Sequence, residues 1–309
     1  MHTFTRLSLG LGLALAGLGL PPASADEAPY AGPLAAGTLE LPAKHESSGL
    51  AVSRRMPDIL WTHNDSGGAP VLFALDTAGR KRGTLRITGV KNEDWEDIAS
   101  FQRDGKAWLL IADTGDNDAE RKSVWLHVIE EPEASRLSPG GELSVAPAYS
   151  LRLRYEDGPR DCESVTVDPT EGAVYLLTKR DEPPRLYRVP LARAAGDVVA
   201  KFVGPVGELE GTTVIDTVFK RVAGKRAAWP TGLEFAADGR AAVVLTYAGP
   251  AVFERRGTEP WSDTLRRTPA RLLFHGLPQA EGVCFSSDGH AIYVISESAP
   301  NLVRYDRKR

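Results

Sequence analysis

The stretch Glu96-Asp97-Ile98-Ala99-Ser100, followed by Asp104-Gly105 and then by Trp108-Leu109-Leu110-Ile111, decides the fold. After two acids its first part alternates apolar and small or polar residues, the period of a half-buried strand. Asp-Gly supplies the positive φ angles of a tight hairpin turn, and the apolar run beyond it reads as the returning strand. The same figure recurs with first strands at Ser48–Val52, Glu163–Val167, Thr231–Phe235 and Glu281–Phe285. Asp238-Gly239 and Asp288-Gly289 repeat the turn, and Asp168-Pro169 with Gly172 is a variant of it. Second strands follow at Ile59–Trp61, Val174–Leu177, Val243–Leu245 and Ile292–Ile295, and third strands at sites such as Val71–Leu75, Val124–Val128 and Leu186–Val189. Fourth strands are legible at Gly83–Ile87, Ala148–Arg154, Val198–Val203 and Arg271–Phe274.

Four short antiparallel strands per unit, repeated along the chain, predict an all-β fold and a single β-propeller. The repeat starts lie 48, 67, 68 and 50 residues apart, against about 40 to 50 for one four-stranded blade. Neither long interval holds two blades. Five blades are expected, with insertions around Pro132–Leu143 and Gly207–Trp229, and six if the second insertion is a degenerate blade. The last unit has three strands, so Gly37–Leu41 is expected to supply the fourth and close the ring, which otherwise leaves unpaired edges. Residues 26–36 then read as a linker and 37–309 as the propeller domain. No segment has a convincing amphipathic helical period.

Composition fits this picture. The 309 residues are 42% hydrophobic and 25% charged, with 30 Gly and 22 Pro for the turns. A formal net charge of −4, with only short basic clusters at Arg80–Arg82 and Arg307–Arg309, argues against nucleic-acid binding, which needs a concentrated positive surface. Arg6, the apolar run Leu7–Leu20 and the small residues before Asp26 read as a secretory signal peptide over 1–25. That run is too short for a comfortable membrane span. The mature protein is expected to be a monomer, periplasmic or extracellular and not inserted in a membrane. Cys162 and Cys284 lie in distant apolar strands and read as buried free thiols, although export makes a disulfide possible.

In a propeller, first strands line the central channel, and their starts share a face with the loops between second and third strands. Glu96, Glu163 and Glu281 start three first strands, with Ser48 and Thr231 at the equivalent places. Carboxylates aimed at one axis repel unless protonated, hydrogen-bonded or bridged by a cation. Oxygen ligands suit a hard cation, Ca²⁺ or Mg²⁺, so these three glutamates are the expected metal ligands; a purely structural polar network between blades is the alternative. The loops add His63, Asp65 and Asp113 as proton acceptors, and Lys179, Arg180 and Tyr247 to hold a substrate. The Asp113–Asn117 run departs from EF-hand spacing and equally suits a turn-stabilising cluster. Asn64–Pro70 is similar to a serine-protease nucleophile loop, but Asn replaces its leading Gly and no well-spaced His precedes it.

The segments Ser48–Leu50, Trp61–Gly67, Asp94–Ala99, Ala112–Asn117 and Cys162–Ser164 resemble exported bacterial propellers of the SdiA-regulated and phytase-like (esterase-like) families. More distantly, a glutamate opening a first strand is similar to the metal-binding pattern of the regucalcin and gluconolactonase propellers. The resemblance implies calcium and hydrolysis. Two functions of different class follow: a metal-dependent hydrolase of a small phosphoester or lactone, its ligand a small anionic molecule, and a non-catalytic propeller that binds a protein or glycan on the same face.

Overall fold

The computed structural model describes residues 28–42, 45–211 and 214–309; the segment 1–25, read above as a signal peptide, lies outside them. The described chain opens with β1 (Tyr30–Thr38). Blade 1 is β2 (Ser47–Val52), β3 (Ile59–Asn64), β4 (Val71–Asp76) and β5 (Lys81–Ile87). Blade 2 is β6 (Trp95–Arg103), β7 (Lys106–Asp113), β8 (Val124–Glu130) and, beyond β9 (Glu142–Val145), β10 (Tyr149–Tyr155). Blade 3 is β11 (Cys162–Asp168), β12 (Ala173–Thr178), β13 (Arg185–Pro190) and β14 (Gly196–Pro205). An insertion holding helix α1 (Val214–Ala223) leads to blade 4: β15 (Pro230–Phe235), β16 (Ala241–Thr246), β17 (Gly249–Glu254) and, past α2 (Trp261–Leu265), β18 (Ala270–Arg271). Blade 5 is β19 (Ala280–Phe285), β20 (Ala291–Ser296), β21 (Asn301–Arg307) and β1.

The inner strands touch in a closed circuit, β2 to β6, β6 to β11, β11 to β15, β15 to β19 and β19 back to β2. The fold is therefore an all-β propeller of five blades. The insertion after blade 3 contains a helix rather than strands, which removes the six-bladed alternative. Each of five clusters of buried apolar side chains lies between two neighbouring blades. That placement explains why the inner and second strands are buried on both faces and lack a simple in-and-out pattern. Trp61 in β3, Trp95 at the start of β6 and Trp261 at the start of α2 are fully buried.

Side chains also latch neighbouring blades together at four of the five junctions between inner strands. Ser48 Oγ donates to the Glu96 carbonyl at 2.9 Å, Thr114 Oγ1 to that of Cys162 at 2.8 Å and Thr231 Oγ1 to that of Ala280 at 2.7 Å. Deeper along the strands, the Val165 amide donates to Asp97 at 2.7 Å, that of Phe235 to Thr166 at 3.1 Å and that of Phe285 to Glu234. So Ser48 and Thr231 satisfy backbone groups of the following blade.

The ring is closed by an N-terminal strand, but of Gly37–Leu41 only Gly37 and Thr38 belong to it, and it extends well upstream. It takes in Tyr30–Ala36, the greater part of the segment read as a linker, and pairs antiparallel with β21. Its Gly, Pro and Ala content and its two register shifts hide the alternation, and an edge strand tolerates Pro33. Tyr30 anchors it, 5% exposed, with its hydroxyl donating to the Gly289 carbonyl at 2.8 Å. Beyond it the Leu39 amide reaches Pro300 of blade 5 at 2.7 Å and that of Glu40 reaches Gly79 of blade 1 at 2.8 Å.

Three further features depart from the sequence reading. The first insertion returns as β9, which pairs parallel with β5 and gives blade 1 a fifth strand. Strand β10 pairs with β8 and also, in parallel, with β14, joining blades 2 and 3 into one eight-stranded sheet. Two short α-helices are present among the described residues; α2 stacks Trp261 on Phe235 and sends its indole N–H to Asp168 at 2.7 Å. Cys162 and Cys284 are buried and unpaired.

His275 leads into blade 5. The Leu277 amide donates to its Nδ1 at 3.0 Å, so the proton sits on Nε2, which reaches the Thr246 carbonyl at 3.3 Å. Burial lowers its pKa from 6.5 to about 4. The folded ring stays neutral where the unfolded one protonates, so stability is lost as pH falls from about 6.5 to about 4, by about 3 kcal/mol for this residue. NMR titration should find His275 neutral down to about pH 4; a ring that titrates above pH 6 contradicts this packing.

Candidate functional site

Each first strand shifts register against its second strand at one place, near its start. The shifts fall between Ser47 and Leu50, Trp95 and Asp97, Cys162 and Ser164, Pro230 and Gly232, and Ala280 and Gly282. Ser48, Glu96, Glu163, Thr231 and Glu281 are thus residues of five equivalent β-bulges, a device that re-aims a side chain. In blade 1 the bulge includes Gly49 at φ +67°, and a Cβ there would lie 2.8 Å from the Asp97 Cα and 2.7 Å from His63 Nε2.

A second element repeats with the bulge. Just past the second strand, an amide donates to the carbonyl two residues before the bulged position. Asp65 bonds Glu46 at 2.9 Å, Gly115 bonds Asp94 at 3.2 Å, Lys179 bonds Asp161 at 3.1 Å and Glu297 bonds Gln279 at 2.9 Å. In blade 2 one extra residue, Thr114, precedes Gly115. Blade 4 carries Tyr247 directly after β16. Around the channel mouth the blades therefore present Glu46, Ser48 and Asp65; Asp94, Glu96 and Gly115; Asp161, Glu163 and Lys179; Thr231 and Tyr247; Gln279, Glu281 and Glu297.

The three expected metal ligands do not share one environment. The Lys179 ammonium, 6% exposed, donates to Glu163 and lies 3.8 Å from Glu281 Oε1. Tyr247 donates to that same oxygen at 2.7 Å, and the ammonium sits 5.5 Å from the Tyr247 ring centre. Burial opposes the ammonium, but the Glu163 charge outweighs it and keeps Lys179 protonated well above its ordinary range. Glu96 stands apart. It gathers instead with Asp65 and Asp94, each offering an oxygen within 4.8 Å of the others, and Asp65 makes a second such group with Glu46 and Glu297. Burial, with the charges of Glu163, Asp65 and Asp94 adding to it, lifts the Glu96 carboxyl well above its usual range. Asp94 is lifted to about 7, by burial first and then by Asp65.

Of the proposed proton acceptors, only Asp65 joins this group. His63 is fully buried beneath the blade 1 bulge, edge-on to Trp95, with Nδ1 3.1 Å from the Asn64 carbonyl. Burial lowers its pKa to about 4, which leaves a neutral core ring. Asp113 lies under Arg121 at 2.8 Å and accepts the Glu93 and Asp94 amides, both at 3.3 Å. It holds the backbone that carries Asp94. Arg180 reaches Asp161 and Asn117 and lies 4.8 Å from the Trp229 ring centre.

The sequence reading missed Asp94 and Glu46 as members of the site. A signal was present: an acid two residues before the bulge recurs in Glu46-x-Ser48, Asp94-x-Glu96 and Asp161-x-Glu163.

No family model and no curated protein matches the chain. The β-propeller domain of Swd1 from Myceliophteria thermophila is similar at 13% identity and a TM-score of 0.40, over 86% of this chain and 65% of that one. A gluconolactonase from Xanthomonas campestris is similar at 14% identity and a TM-score of 0.44, over 85% of this chain and 72% of that one. The likeness is one of fold.

Proposed function

We propose that this propeller is an exported protein that holds one divalent cation, Ca²⁺ in the first place, at Asp65, Asp94 and Glu96, and hydrolyses an uncharged ester of lactone type there. The carrying observation is the convergence of these carboxylates from blades 1 and 2, with Glu96 95% buried. No hydrogen-bond donor reaches Glu96 Oε1 among the described residues, and Ser48 Oγ stands 3.5 Å from Oε2. A Cβ on Gly115 would intrude on Glu96 Oε1 and Asp94 Oδ2, so the glycine keeps the space beside them open. Oxygens bind Ca²⁺ at about 2.3–2.6 Å, and opposed ligands about 5 Å apart accommodate the observed group. The cation would supply polarisation of a carbonyl oxygen and a lowered pKa for a water. Glu297, partly exposed beside Asp65 and held by Gln279 at 2.7 Å, is placed to take a proton. An uncharged substrate is favoured over a phosphoester because Lys179 and Arg180 are already paired with carboxylates.

Export rests on the 1–25 segment. The test is metal analysis of the mature protein, followed by a panel of lactones, esters and phosphoesters with and without chelator. About one Ca²⁺ per chain and chelator-sensitive turnover of lactones are expected. Bound cation without turnover on any substrate would make the face a non-catalytic binding site, and a metal-free protein indifferent to Ca²⁺ and Mg²⁺ would overturn the proposal.

A further inference from the structure

We infer that the residue after the second strand decides how each acidic blade is neutralised: Lys179 gives blade 3 an internal cation, and Gly115 leaves blade 2 open to an external one. The inference rests on the cation reading above and adds what limits the channel to a single ion. Blades 2 and 3 carry the same pair, Asp94-x-Glu96 and Asp161-x-Glu163. Both glutamates are bulged, 5% and 4% exposed. The amides of Gly115 and Lys179 make the same bond, 3.2 and 3.1 Å, to Asp94 and Asp161. From that position Lys179 sends its ammonium to Glu163 and toward Glu281. An ammonium in blade 3 thus shows where a positive charge belongs in this arrangement.

In blade 2 no lysine or arginine among the described residues is paired with Glu96, which Lys179 influences only from a distance. Glu96 is nine-tenths buried and without a donor at Oε1 among the described residues. Arg121, the cation nearest in sequence to Gly115, is turned to Asp113 at 2.8 Å and to the Gly115 carbonyl at 2.7 Å. A buried carboxylate left uncompensated costs several kcal/mol, and a cation from solution, taking in blade 2 the place that the ammonium fills in blade 3, would remove that cost. The atoms that a Cβ on Gly115 would meet are the ends of the Glu96 and Asp94 side chains. These can swing aside, and Gly115 has no positive φ, so a side chain there is compatible with the fold.

The experiment is Ca²⁺ titration by calorimetry on the full mature chain, with circular dichroism to establish folding. The unmodified protein should bind one ion. Lys179→Gln should bind two, the second between Glu163 and Glu281, and its melting temperature should recover with Ca²⁺. Gly115→Lys should bind none at concentrations that saturate the parent, and Gly115→Ala should weaken binding at least about tenfold. Either one ion in folded Lys179→Gln or parental affinity in Gly115→Lys overturns the inference while leaving the cation site intact. No ion in the unmodified protein overturns the underlying reading and this inference with it. The variants are independent: should Lys179→Gln fail to fold, Gly115→Lys decides.

Discussion

Deleting residues 28–40 should remove the cooperative thermal transition of the propeller or lower its midpoint by about 15 °C or more. This segment supplies the fourth strand of blade 5 and stitches that blade to blade 1. It buries Tyr30 and Leu39, 5% and 6% exposed, and losing such side chains costs about 3–5 and 2–5 kcal/mol. Deletion also leaves β21 as a bare edge and opens the amide bonds to Pro300 and Gly79. A finer probe is Gly37→Val. A Cβ on Gly37 would lie 2.0 Å from the Ala78 carbonyl oxygen, and one on Gly79 2.4 Å from that of Thr38, so any side chain at 37 drives this seam apart. Calorimetric melts of both variants test the closure; parental stability after deletion would show that the ring holds without its N-terminal strand.

The second large effect is expected at Glu96. Glu96→Gln should weaken Ca²⁺ binding by about 100-fold or more, as the ion loses a buried charged ligand. Without Ca²⁺ the same change should raise the melting temperature, because burial penalises the carboxylate and the charges of Glu163, Asp65 and Asp94 add to that penalty. The two curves should cross: the variant melts higher than the parent in chelator and lower in Ca²⁺. Thermal melts under both conditions, with calorimetry, check this. A variant less stable than the parent in chelator would mean that Glu96 is compensated within the chain, and the cation site would fall with it.

Much of the fold was legible because its signal is local. Five alternating segments and three Asp-Gly turns announce hairpins without reference to anything distant. Strand β1 was misplaced because its reason for being a strand lies in β21, far along the chain, and its own Gly, Pro and Ala carry little pattern. Strand β9 and the β10–β14 pairing are likewise invisible, since parallel pairing of remote segments leaves no periodic mark. At the site, the repeat identified Glu96, Glu163 and Glu281 as equivalent, which they are in backbone geometry. It did not separate them chemically. Separation comes from Lys179 and Gly115, loop residues aligned only by the bond each makes to the strand beside it. His63 and Asp113 show the converse: polar residues on the right face that the packing turns into a core ring and a clamp on Asp94.

The double allegiance of β10 also sets where the ring is stiff. A strand hydrogen-bonded along both edges resists shear on either side, so blades 2 and 3, which carry Glu96 and Glu163, behave as one curved plate. Blade 4, whose outer strand has two residues, has no such tie. The wall that bears Asp94, Glu96 and Gly115 is therefore braced by a strand pairing that blade 4, next to the plate, does without.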